Sequence, residues 1–286
     1  MSTIREPAAA GRFYPSDRRE CERMLSAYEF AKPHRPAIGA IVPHAGWIYS
    51  GATAALGIGA VAAGSPATVV VFGAVHVRDR NRASLYGVGR WRTPLGDVEI
   101  DEELAARVRK VRDIVEDPDA HRSEHSIEVE LPLIQCVLPN AKLLPIMVRP
   151  GPWAAEIGRI VAQEAGGLGR SAVFLASTDL THYGPAFAFE PHGRGEAGIR
   201  WAKDVNDRRF IEIVGALDAE SIVPEAAEHQ NACGAGAVAA TIAAVREFGG
   251  DRYCEVRHIT SADVDIGDPS ERMNSVGYEA GFFHRD

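Results

Sequence analysis

His44 and His76 each close a short apolar run, Ile38–Gly39–Ala40–Ile41–Val42–Pro43–His44 and Val69–Val70–Val71–Phe72–Gly73–Ala74–Val75–His76. A third run, Ala172–Val173–Phe174–Leu175–Ala176–Ser177, leads into Thr178–Asp179–Leu180–Thr181–His182. Imidazole serves zinc, iron and copper alike, so two rings brought to one place form a metal pair without naming the metal. Pro43 and Gly46 on either side of His44 fix a tight turn, which would hold that ring at a defined point. In Asp179–Leu180–Thr181–His182 a carboxylate lies three residues before an imidazole, a spacing that suits a ring oriented for acid–base work. The plainer alternatives are a loop aspartate capping nearby N–H groups and histidines that are merely hydrogen-bonded.

Two further segments carry chemistry. Cys233, in Asn231–Ala232–Cys233–Gly234, precedes an Ala-rich stretch that reads as a helix. The unpaired N–H groups of a helix start favour a thiolate, so Cys233 is expected to be a metal ligand or a nucleophile. Cys21, Cys136 and Cys254 read as ordinary free thiols. His121–Arg122–Ser123–Glu124–His125 spells H-x-x-E-H, which on a helix would set two imidazoles around a zinc with Glu124 as base. A charged, solvated helix start is the competing reading of that segment.

The elements that must carry these residues alternate strand and helix. Ala37–Val42, Thr68–Val75, Lys142–Val148 and Ser171–Ala176 read as buried parallel strands, and Arg252–Thr260 and Ser275–Phe283 as closing strands. Helices are predicted over Gly51–Ala63 (with Ser50 as N-cap), Asp101–Val111, Ser126–Val137, Trp153–Glu164, Gly195–Ile213, Ala216–His229 and Gly234–Phe248. Gly249–Gly250 supplies a stop for the last of them. Arg78–Gly96 reads as a loop and hairpin with Leu85–Val88 extended. The pattern predicts a layered α/β fold with a central, mainly parallel sheet flanked by helices. Ligands collect beyond the carboxyl ends of such strands, which is where the polar tips stand.

Bulk properties narrow the function. The chain has 286 residues, 46% hydrophobic and 24% charged, with a formal net charge of −8. No basic cluster tracks a phosphate backbone, so nucleic acid is not expected as a partner. No apolar stretch reaches the length of a membrane span, and Met1–Gly11 lacks the pattern of a signal peptide. A cytoplasmic location is the expectation, and with no linker or repeat, residues 1–286 read as a single domain.

Taken in order, the segments resemble the Memo family, also called AmmeMemoRadiSam system protein B in bacteria and archaea. They are Arg5–Glu6–Pro7–Ala8–Ala9–Ala10–Gly11–Arg12–Phe13–Tyr14–Pro15, Val42–Pro43–His44–Ala45–Gly46–Trp47–Ile48–Tyr49–Ser50–Gly51, Arg92–Thr93–Pro94–Leu95–Gly96–Asp97, and Glu124–His125–Ser126–Ile127–Glu128–Val129–Glu130–Leu131–Pro132. Ser177–Thr178–Asp179–Leu180–Thr181–His182–Tyr183–Gly184, Ala232–Cys233–Gly234 and Ser275–Val276–Gly277–Tyr278 complete the set.

The resemblance implies a fold similar to LigB-like class III extradiol dioxygenases and a site of two histidines and a cysteine. Carried over by motif, His44, His76 and Cys233 would be the metal ligands. Asp179, His182 and His125, with Glu124, would line the same pocket in proton-handling roles. Fe(II) is the first expectation, with copper or zinc admitted because a thiolate replaces the dioxygenase carboxylate. Val77 departs from the second histidine or polar residue that often follows the His76 position. An oxidoreductase acting on a small aromatic or redox-active molecule, with O2, is implied, together with a protein partner in a radical-enzyme system. The alternatives are a metal-handling or partner-binding protein on the same scaffold, and the zinc peptidase of the H-x-x-E-H segment.

Overall fold

Runs of Val, Ile, Leu and Phe without polar interruption must be covered on both faces, and here they form the middle of one large sheet. The computed structural model describes residues 3–264 and 273–286. Its strands are β1 (Ile4–Arg5), β2 (Gly39–Val42), β3 (Thr68–Gly73), β4 (Ala83–Leu85), β5 (Arg90–Thr93), β6 (Gly96–Glu99), β7 (Ile114–Glu116), β8 (Lys142–Val148), β9 (Ala172–Ser177), β10 (His182–Tyr183), β11 (Arg252–Thr260) and β12 (Ser275–His284). The helices are α1 (Arg18–Ser26), α2 (Trp47–Ala62), α3 (Glu102–Val108), α4 (Pro118–His121), α5 (Leu131–Val137), α6 (Ala154–Gly167), α7 (Glu196–Trp201), α8 (Arg208–Gly215), α9 (Ala219–His229) and α10 (Ala235–Glu247).

The large sheet runs β10-β12-β2-β9-β3-β8-β4-β7, with β11 added on β12, while β1, β5 and β6 form a small second sheet. Its centre, β2-β9-β3-β8, is parallel, and antiparallel partners join at either side. Successive residues point to opposite faces. Val69 and Val71 of β3 pack with α2 residues Ala54, Ala55 and Ile58, whereas Val70 and Phe72 pack with α6 and α10 residues such as Val161 and Val238. The chain leaves β2 through α2 towards β3 and leaves β9 towards β10 on the opposite side. Neighbouring strands with diverging connections open a crevice at their carboxyl ends. Val42 pairs with Ser177 and Phe72 with Ala176, so β2, β9 and β3 end level with one another.

The layered α/β architecture expected from the sequence is the one found, with local differences. Helix α2 begins at Trp47 with Gly46 as its N-cap; Ser50 lies inside it and donates its hydroxyl to the Ala45 carbonyl. The stretch expected as a helix over Ser126–Val137 is a 3₁₀ turn, Glu128–Glu130, followed by α5, which Pro132 helps to start rather than interrupt. Gly195–Ile213 is not one regular helix: a π-helical segment, Ala202–Asp207, separates α7 from α8. Within Arg78–Gly96 the extended piece is β4, which joins the large sheet, and the hairpin is β5–β6. The end of α10 is as read, with Gly249 at φ +81° and the Gly250 N–H returning to Val245 O at 2.9 Å.

Helices α6 and α10 touch closely because Gly158 has no side chain: a Cβ there would stand 1.8 Å from Ala240 O. Gly158→Ala is therefore expected to push the helices apart and to cost about 3 kcal/mol, the upper end for overpacking. A urea unfolding midpoint equal to that of the unsubstituted chain would contradict this close contact.

Candidate metal centre

Two of the rings in the centre, those of His44 and His76, are aimed by a partner on the second nitrogen. His44 follows β2 directly, and its backbone N–H donates to Asp179 Oδ1 at 2.9 Å. Its Nδ1 lies 2.8 Å from Ser177 Oγ, the last residue of β9. The Ser177 hydroxyl hydrogen goes to the Ser126 carbonyl at 2.6 Å, so Ser177 must accept from an Nδ1–H on His44. That tautomer leaves the lone pair on His44 Nε2, which lies 3.4 Å from Cys233 Sγ and 3.9 Å from Asp179 Oδ2. His76 is aimed by Glu124: Nδ1 is 2.9 Å from Oε1, and the His76 backbone N–H donates to Oε2 at 2.6 Å. Glu124 also accepts the N–H groups of His125 and Ser126, at 2.9 and 3.0 Å. A carboxylate on Nδ1 sets the ring so that Nε2 is free to bind a metal, as in carboxylate–histidine–metal triads.

The rings of His44, His76 and His125 converge, with ligand atoms all within 4.8 Å of one another. His76 and His125 stack at 4.6 Å, and both meet His44 edge-on at 5.1 and 5.3 Å. His44 is buried, whereas the side chains of His125 and His76 are 21% and 31% exposed, so the centre opens on their side. Burial, helped by the neighbouring His76, lowers the pKa of His44 to about 3, and burial with His44 and His76 lowers His125 to about 4. Burial also disfavours a charged His76, but the Glu124 carboxylate outweighs it and raises that pKa. The same pairing, with the N–H groups around it, holds Glu124 far below the usual carboxylate range despite its burial. Behind Ser177, the fully buried Glu130 is pushed well up by desolvation and the nearby Asp179, which favours its neutral form.

The sequence-selected residues meet here, with changed roles. Cys233 stands against His44 as expected, and its Sγ accepts the Asp179 N–H at 3.3 Å. Burial and the Asp179 charge raise its pKa, outweighing the hydrogen bonds that favour the thiolate. Asp179 accepts from the His44 amide rather than fixing His182 directly, and burial raises its pKa. His182 stacks on Phe187 at 5.0 Å, and burial lowers its pKa while the Asp179 charge works the other way.

The H-x-x-E-H segment does not form a zinc-peptidase site. His121 ends the short α4, is fully buried against Tyr86 and Trp91, and its Nε2 lies 2.8 Å from the Ser84 carbonyl. Glu124 is spent on orienting His76, and His125 alone joins the cluster, because the chain leaves the helix between the two histidines. Ser177 as the partner of His44 escaped the sequence reading, since nothing in its own segment distinguishes it from an ordinary strand end.

Comparison with known proteins identifies the family. A family model described as Memo-like protein matches residues 5–282. A MEMO1 family protein of Methanopyrus kandleri is 37% identical over 98% of this chain and 99% of its own length. Another, of Methanothermobacter thermautotrophicus, is 36% identical over 96% of this chain and 98% of its own, and one of Thermococcus onnurineus is 32% identical over 99% and 100%. The chain belongs to the Memo family.

Proposed function

We propose that this Memo family member binds one transition-metal ion through His44, His76 and Cys233, with His125 as a further donor, and acts as an oxidoreductase on a small aromatic or otherwise redox-active substrate. The observation that carries the reading is the convergence of the three rings within 4.8 Å, two of them fixed in the tautomer that presents Nε2. Imidazole and sulfur donors fit iron, copper or zinc, and Fe(II) is the first choice for a redox role. When bound, such an ion would supply Lewis acidity and, for iron or copper, electron transfer with O2 as oxidant. The chain's own part is to keep His44 neutral, to aim Nε2 of both His44 and His76, and to exclude water from the buried His44 side. His182, kept neutral by burial in the same carboxyl-edge crevice, is the proton acceptor, with the Asp179 charge favouring the protonated ring that results.

The test is metal analysis followed by anaerobic loading with Fe(II) and oxygen-uptake measurements over a panel of catechols. About one metal per chain, metal-dependent uptake with at least one catechol, and retention of metal in His121→Ala are expected. Metal lost from His121→Ala but kept by His44→Ala would refute the site. Full metal with no uptake on any substrate would make the protein a metal-handling member of the family instead.

A further inference from the structure

The His125 ring is partly exposed, yet one of its faces is covered. Phe13 stacks on it at 4.3 Å with an interplanar angle of 27°, and His125 in turn stacks on His76 at 4.6 Å and 27°. Phe13, His125 and His76 thus form a continuous stack that ends on a ring of the metal centre. Phe13 comes from a segment far away in sequence, and its position is tightly held. The turn around it is closed by the Phe13 N–H to Ala9 O at 2.9 Å and the Gly11 N–H to Tyr14 O at 2.7 Å, with Gly11 at φ +80°. The Phe13 carbonyl accepts the Trp47 N–H at 2.7 Å, tying the turn to the start of α2.

The whole segment is latched by one buried carboxylate. Glu128 Oε1 accepts the Ala9 N–H and the Tyr14 hydroxyl, each at 2.8 Å, while Oε2 accepts the Ala8 N–H at 2.9 Å and Arg5 Nη1 at 2.7 Å. Glu128 lies three residues after His125, so the latch and the ring it serves share one short piece of backbone. An open groove of about 580 Å³ runs along the outside of this segment, between Gly11–Ser16 and Gly46–Tyr49.

We infer that Phe13 is a positioning residue of the metal centre, held in place by Glu128, which fixes the planes of His125 and His76 and shields their open side, so that a bound ion exchanges slowly. The inference rests on the metal reading above. A stacked aromatic pair corresponds to about a tenfold factor in an equilibrium or rate. Within the centre, the ring contact of Phe13 is with His125, so its loss is expected to change exchange and ring geometry rather than the number of ions held.

The experiment uses Co(II) as the probe metal and follows its removal by excess chelator in the whole chain and in Phe13→Leu, Phe13→Trp and Tyr14→Phe. Proton spectra of the histidine rings are recorded on the metal-free proteins. Phe13→Leu should release Co(II) about tenfold faster at unchanged stoichiometry, and the His125 ring resonances should lose the upfield shift that a stacked phenyl ring imposes. Phe13→Trp should restore both, and Tyr14→Phe, which removes one bond to the latch, should fall between. Unchanged release and ring shifts in Phe13→Leu, or failure of a folded Phe13→Trp to restore them, would overturn the inference. Absence of Co(II) binding by the unsubstituted chain would instead overturn the metal reading, with the ring shifts still reporting on the stack.

Discussion

Alanine in place of His76 is expected to reduce bound metal to background, and Glu124→Gln to weaken binding about 10- to 100-fold, the usual loss when a carboxylate behind a metal-binding imidazole is removed. The larger effect follows from donor count, since His76 supplies one of the three converging rings. The smaller one follows from the four N–H groups that Glu124 accepts, from the His76 ring, the His76 amide, the His125 amide and the Ser126 amide. A glutamine offers one acceptor oxygen and turns an NH2 towards donors. The pH dependence has a definite sign. Glu124 raises the pKa of His76, so a proton on Nε2 competes with the metal and apparent affinity falls as pH drops through that raised value. The His76 proton gives about a tenfold loss per pH unit below that value. It adds to an equal slope from the Cys233 thiol, whose raised pKa means that it gives up a proton on binding across this whole range. His44 and His125, lowered to about 3 and about 4, stay neutral and add no slope in the mildly acidic range. In Glu124→Gln the His76 slope should begin at lower pH. Competition with a chromophoric chelator from neutral to mildly acidic pH measures both effects. A slope that does not steepen towards acidic pH in the unsubstituted chain would contradict the assignment of His76.

The strand ends were legible because a buried parallel strand writes itself as an apolar run and its tip as the first polar group beyond it. Lys142–Val148 and Arg252–Thr260 occur with the bounds that their patterns give. What the pattern does not carry is order. β9 is the last of the three strands in sequence, yet it lies between β2 and β3. That insertion puts Ser177 beside His44 and sets the Asp179 loop over it, contacts spanning more than a hundred residues that no spacing rule reports. The H-x-x-E-H segment failed for the opposite reason: its spacing is meaningful only on a continuous helix, and α4 stops at His121. Cys233 stands against His44 as its segment suggested, but the strand and helix pattern does not report that burial and the Asp179 carboxylate oppose the thiolate that a helix start favours. His125 was tied to the pocket by family resemblance alone; its neighbour Glu124, rather than any periodicity, explains why it sits there.

The largest stability loss is expected from Arg5→Met, about 3–5 kcal/mol, because it strips the cation from a buried ion pair. The side chains of Arg5 and Glu128 are 3% and 0% exposed and meet at 2.7 Å. Arg5 also donates Nε to the His121 carbonyl at 2.9 Å and Nη2 to the Glu124 carbonyl at 2.8 Å, and its guanidinium lies 4.1 Å over the Trp91 ring. Methionine fills similar space but leaves two backbone carbonyls unpaired and the Glu128 charge without its counter-ion. Arg5→Lys should recover only part of the loss, since a single ammonium lacks the planar fork that reaches three acceptors at once. Urea unfolding of the metal-free chains measures the cost without any contribution from metal binding. A change below about 1 kcal/mol for Arg5→Met would place this pair among exposed, weakly contributing ones and contradict its burial. The two backbone carbonyls that Arg5 holds belong to His121 and Glu124, on either side of the turn into His125. Its removal should therefore also loosen the ring cluster, and any metal that Arg5→Met retains should bind more weakly than in Arg5→Lys.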